Sequence, residues 1–190
     1  NIPTISAVKP YSPLELHGRD IYISEGCYTC HSQMVRPFRD EVVRYGEYSK
    51  AGEFVYDHPF QWGSKRTGPD LAREGAGNLK KSNTWHFNHL DEPSAISTGS
   101  VMPAYSFLID HELDTATTPS KIRAMQTLGV PYPEGYDEQA NADLTLQANK
   151  IAANLKTAGV EVMPESEMVA LIAYLQRLGT DIKKTTASNP

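Results

Sequence analysis

The sequence predicts an all-α domain, on three observations. One stretch near each end carries apolar residues at helical spacing between recognisable start and stop signals. No apolar β-branched run of the kind that forms a buried strand precedes the first cysteine. Gly18 interrupts the apolar face of the first stretch, where the missing side chain permits another helix to cross closely.

The first helix is expected from Lys9 to Glu25. Ser12-Pro13-Leu14-Glu15 offers a capping hydroxyl, a proline suited to the first helical position and a glutamate that completes the capping box. Leu14, Gly18, Ile21 and Tyr22 share one face, and Gly26 can end the helix.

Cys27-Tyr28-Thr29-Cys30-His31 follows at once. In such a C-x-x-C-H run two thiols can add across the two vinyl groups of one haem while the adjacent imidazole reaches the iron. The chain has two cysteines, so this pentapeptide uses both. Three plainer readings compete. A redox dithiol wants a buried strand and then a helix around the pair. A zinc site wants further ligands at matching spacing, and no second Cys-rich cluster exists. Chance is the third, since five residues make a short pattern.

Residues 32–65 fit neither helical nor alternating period, and seven aromatics there (Phe38, Tyr45, Tyr48, Phe54, Tyr56, Phe60 and Trp62) alternate with arginines and acidic residues. Long irregular stretches in compact domains tend to be functional. Aromatic and arginine anchors suit a docking surface, while a cover folded over a haem edge would use the same aromatics as core. Arg66-Thr67-Gly68-Pro69-Asp70-Leu71 comes next. The Pro69 carbonyl is a candidate acceptor for the outward Nδ1–H of His31, a bond that would fix the imidazole. Arg66 is a further candidate beside the haem. A short helix from Asn83 to Leu90 carries Trp85, whose indole N–H could serve a haem propionate or simply pack, with His86 and His89.

A six-coordinate haem needs a second axial ligand. Met102 lies in Val101-Met102-Pro103-Ala104, a loop stiffened by proline and far enough along the chain to pass round a haem. Met34 is too close to His31, and Met125 and Met168 repeat with the apolar faces of helices, where methionine is ordinarily core. Met163 is a reserve, and His86 or His89 are the histidine alternatives.

Two helices are expected between Thr118 and Gly159, the first with Ile122, Met125 and Leu128 on its face, together an insertion without evident chemistry. The last helix, Pro164 to Leu178, carries Met168, Leu171, Ile172, Leu175 and Leu178 as its stripe and can close the domain against Gly18. The expected layout is a linker over 1–9, a haem domain over 10–182 and a polar tail over 183–190.

Composition excludes some classes. With 39% hydrophobic residues and net charge −5, the chain lacks the basic excess that nucleic acid requires. It has no run of eighteen apolar residues and no leader-like start. Because haem is ordinarily attached outside the cytoplasm, a leader or anchor preceding Asn1 is expected.

The chain resembles the mono-haem cytochrome c subunit, subunit II, of cbb3-type cytochrome c oxidases. The matching stretches include Gly18–Gly26, Cys30–Arg39, Arg44–Tyr48, Val55–Phe60, Trp62–Arg73, Met102–Tyr105 and Ala170–Gln176. The resemblance implies a class I cytochrome c-like haem domain with a long loop and helical insertions, carrying one covalent haem c. It carries over Cys27 and Cys30 as thioether sites, His31 as proximal ligand and Met102 as distal ligand. It further implies an electron-transfer subunit, not an enzyme by itself, at the periplasmic face of the bacterial inner membrane. Its partners would be the haem-copper catalytic subunit and, as donor, a di-haem cytochrome c subunit or a soluble cytochrome c. The family's N-terminal membrane anchor is absent from this sequence. A free periplasmic carrier shares the haem residues but has no need of the long aromatic stretch, and a c-haem peroxidase would need an open distal position.

Overall fold

The computed structural model describes residues 5–182, so the expected tail lies outside the described residues, as does part of the expected linker. Among them the only regular elements are helices: α1 (Pro13–Ser24), α2 (Arg39–Tyr45), α3 (Asn83–Asp91), α4 (Pro93–Ile96), α5 (Thr118–Thr127), α6 (Tyr136–Thr157) and α7 (Glu167–Arg177), with short 3₁₀ turns between them. Extended pairing is limited to one isolated bridge, Glu112 with Ser166.

The chain forms two compact units. One comprises the described residues before Tyr11, Tyr22–Lys81 and those from Leu175 onward; the other comprises Tyr11–Ile21 and Ser82–Tyr174.

In the second unit, α1 starts at Pro13 rather than Lys9, because the capping box sets the boundary. The backbone N–H of Ser12 donates to Glu15 Oε2 (2.8 Å) and that of Glu15 to Ser12 Oγ (3.3 Å), so the first turn's free donors are answered here. Gly18 does what its place on the apolar face predicts. A methyl group there would overlap the Ala170 carbonyl oxygen and come within 2.8 Å of Tyr174 Cβ, so α1 and α7 touch backbone to backbone. Leu14, Ile122, Leu144, Leu155, Met168, Leu171 and Ile172 are almost wholly buried. Leu128 departs from expectation. It is 56% exposed because α5 ends at Thr127 and Gly129 turns the chain away at φ 88°. α7 likewise starts later than Pro164, at Glu167, where the Ser166 hydroxyl accepts from the Val169 N–H (3.3 Å).

In the first unit, the stretch after the haem motif contains a helix that periodicity did not reveal. α2 is seven residues, under two turns, too short for a 3.6-residue period to register. Its acidic first turn (Asp40, Glu41) and Arg44 in the last turn suit the helix dipole. Tyr45 and Phe54 are buried, whereas Phe38 and Tyr48 stand out into solvent, so the aromatics divide between core and surface. Arg73 ties this stretch down with a buried fork to Glu53 (2.7 and 3.0 Å) and a bond from Nε to the Glu47 carbonyl (2.8 Å).

Glu74, next in sequence and also buried, carries a pH signature. Burial pushes its carboxyl from 4.5 up to about 7, with Lys81 opposing. The native state therefore holds the proton more tightly than the unfolded chain; its contribution is full below pH 4.5 and lost as pH rises through 7. Glu74→Gln should match the parent near pH 5 and exceed it near pH 8, by up to ~3 kcal/mol. Denaturant midpoints at the two pH values check this; an equal gap at both would refute it.

Candidate haem site

The motif is positioned by one tight turn. α1 ends at Ser24, Gly26 adopts the left-handed conformation (φ 69°), and Cys27–Thr29 forms a 3₁₀ turn. The N–H groups of Cys30 (3.2 Å) and His31 (3.0 Å) both donate to the Cys27 carbonyl. Residues three apart eclipse in such a turn, which places Cys27 and Cys30 on one side of the backbone with His31 directly after.

Cys27 and Cys30 are both half-buried. Burial pushes the Cys27 thiol up to about 12, opposite to the lowered value that a redox dithiol needs. Among the described residues no three His, Cys, Asp or Glu side chains gather where they could hold a metal ion.

His31 Nδ1 lies 2.8 Å from the Pro69 carbonyl. That oxygen can only accept, so Nδ1 carries the hydrogen and Nε2 keeps its lone pair for a metal. Burial lowers the imidazole's pKa, with the Pro69 bond opposing, which favours the neutral ring that iron needs. Gly68 lies against the ring. A methyl group there would overlap His31 Cε1 and stand 2.8 Å from Nδ1 and 2.9 Å from Nε2. The Gly68 N–H donates to the Cys30 carbonyl (3.1 Å), binding this turn to the motif. On another side, Gly63 (φ 62°) brings the chain against the Tyr28 and His31 carbonyls, and the Gln33 N–H donates to the Trp62 carbonyl (2.6 Å).

Arg66 is held by protein acceptors. Its Nε donates to Ser32 Oγ (2.7 Å), its Nη2 to the Met34 carbonyl (3.0 Å) and to Glu41 (2.8 Å), and its guanidinium lies 5.4 Å from the Tyr45 ring centre. Arg36 also pairs with Glu41. These two arginines outweigh the effect of burial and hold the Glu41 carboxyl well below the usual carboxylate range.

Cys27, Cys30, His31, Arg66 and Pro69 thus come together within the first unit, whereas Trp85 and Met102 belong to the second. Trp85, in the first turn of α3, stacks on His89 (4.5 Å) and stands edge-on to His86. Met102 is half-buried in a loop without regular structure, beside Val101 at 78% exposure. The Met102 N–H donates to Ser100 Oγ (3.2 Å), and the Tyr105 N–H to the Leu90 carbonyl (2.8 Å) anchors the loop to α3. Met125 and Met168 are buried in the core, as their helical spacing predicts, and Met163 is exposed.

Gly68 and Asp70, which the motif after residue 65 contains without an evident role, join Ser32 and Glu41 around His31 and Arg66. Gly68 carried a signal, a glycine directly before the proline meant to accept from His31.

Two thiols on one side of a turn, a neutral histidine oriented by a carbonyl and a glycine that makes room for its ring fit a haem bound through C-x-x-C-H. The class these features define is the c-type cytochromes. Comparison with protein families matches residues 1–182 to the family described as cytochrome c oxidase, mono-heme subunit/FixO. The chain belongs to that family, the subunit II of cbb3-type oxidases, and accordingly carries one c-type haem. Comparison with curated proteins finds no match.

Proposed function

We propose that this chain is an electron relay delivering electrons to the haem-copper catalytic subunit of the oxidase, at the periplasmic face of the inner membrane. The observation that carries it is the His31–Pro69 bond, which presents Nε2 of a neutral, oriented imidazole beside Cys27 and Cys30. Cys27 and Cys30 would hold the haem through thioether bonds, and His31 and Met102 would supply its two protein ligands. When bound, the haem supplies a one-electron couple. Were His31 and Met102 both to ligate the iron, they would leave it no open position for a substrate, and the subunit would transfer electrons without bond chemistry of its own. Trp85, with an N–H donor on α3, is proposed to serve a propionate.

The α2 region supports docking. Phe38, Val43 and Tyr48 are 59%, 70% and 42% exposed, and the Arg36 guanidinium lies 5.6 Å from the Phe38 ring centre. Exposed aromatic and arginine side chains of this kind anchor interfaces.

Two measurements test the proposal. In the assembled oxidase, rapid mixing with reductant should reduce this haem before those of the catalytic subunit; catalytic haems that fill while this one stays oxidised would overturn the relay. In the isolated domain, Met102→Ala should abolish the weak sulfur-to-iron band of the ferric spectrum and lower the potential, since a thioether favours ferrous iron. An unchanged band would remove Met102 as ligand.

A further inference from the structure

Asp70 follows the proline whose carbonyl orients His31, and its side chain is wholly withdrawn from solvent. Both carboxylate oxygens are engaged. Oδ2 accepts from Ser32 Oγ (2.6 Å) and the Met34 N–H (2.8 Å), with Arg66 Nη2 at 3.3 Å, while Oδ1 accepts from the Ala72 N–H (2.9 Å). Ser32 and Met34 lie on the segment leaving His31; Asp70 and Ala72 lie on the segment that supplies the acceptor. One carboxylate thus clasps the donor segment to the acceptor segment. The Leu71 N–H reinforces the clasp by donating to the Ser32 carbonyl (2.8 Å). Arg66 steadies it from outside, donating to the same Ser32 hydroxyl that donates to Asp70.

We propose that Asp70 is a positioning residue for His31: by fixing the Pro69 carbonyl against Nδ1–H it sets the strength of that bond, and so the basicity of the nitrogen facing the iron. The inference rests on His31 as proximal ligand. A firmly held acceptor makes the imidazole a stronger donor, which favours ferric iron. Asparagine cannot replace the carboxylate. Its amide has one acceptor oxygen, whereas the Met34 and Ala72 N–H groups approach different oxygens, so one of them would face an NH₂ group. The Pro69 carbonyl then loosens.

The experiment uses the haem-loaded domain. In Asp70→Asn the His31 Nδ1–H resonance of the ferric protein should exchange with solvent at least tenfold faster than in the parent. The ratio of reduced to oxidised protein at a fixed potential should rise at least threefold. A potential that moves while Nδ1–H exchange stays at the parental rate would overturn the proposal, because loss of charge alone would do that. Ser32→Ala removes one of the four bonds and keeps the carboxylate; it should shift exchange in the same direction by less. If Asp70→Asn fails to retain haem, Ser32→Ala decides, and parental exchange in that variant overturns the inference. A parent protein with no histidine-ligated haem in its spectrum would instead defeat the underlying assignment of His31.

Discussion

Gly68→Ala should leave most of the protein without a properly ligated haem. The added methyl has nowhere to go: it overlaps His31 Cε1 and falls within 3 Å of both ring nitrogens. The Gly68 backbone cannot withdraw without losing its bond to the Cys30 carbonyl and disturbing Pro69, the acceptor for His31. Overpacking and loss of the buried hydrogen bond together cost on the order of 3 kcal/mol. The ring must therefore turn away from its carbonyl. Visible and electron paramagnetic resonance spectra of the purified ferric domain measure the outcome; a parental low-spin spectrum at parental haem yield would show that the ring is not held from that side.

The second large effect belongs to the helix crossing. Gly18→Ala should lower stability by about 3 kcal/mol, or about 10 °C in a protein of this size. The conflict is with the Ala170 carbonyl oxygen and Tyr174 Cβ, neither of which can rotate aside as the tip of a flexible side chain would. α1 and α7 must then separate, opening a contact among residues that are almost wholly buried. Thermal unfolding of the haem-loaded domain tests this, and a change under 2 °C would mean that the helices yield cheaply.

Where local chemistry writes itself in order along the chain, the sequence was readable. The capping box at Ser12 and Glu15, Gly18 on an apolar face and the pairing of Pro69 with His31 each depend on a few residues of known offset, and each is found. α2 was not readable, since seven residues give too little periodicity and its buried glutamate answers arginines five residues before and 25 after it. Asp70 was missed for the same reason. Its partners Ser32 and Met34 are distant in sequence, and a lone aspartate after Gly-Pro looks like turn chemistry alone. Pairing of buried charge is a tertiary property that composition does not order.

His31 and Pro69 stand 38 residues apart, and everything between them belongs to one continuous span. His31, the proposed iron ligand, is therefore tied to both ends of that span. Arg66 joins Glu41 on α2 to Ser32 beside the haem histidine, and Arg73 locks Glu53 within the same stretch. On the proposed ligation, the colour and potential of the haem would act as a gauge of whether the loop is correctly seated.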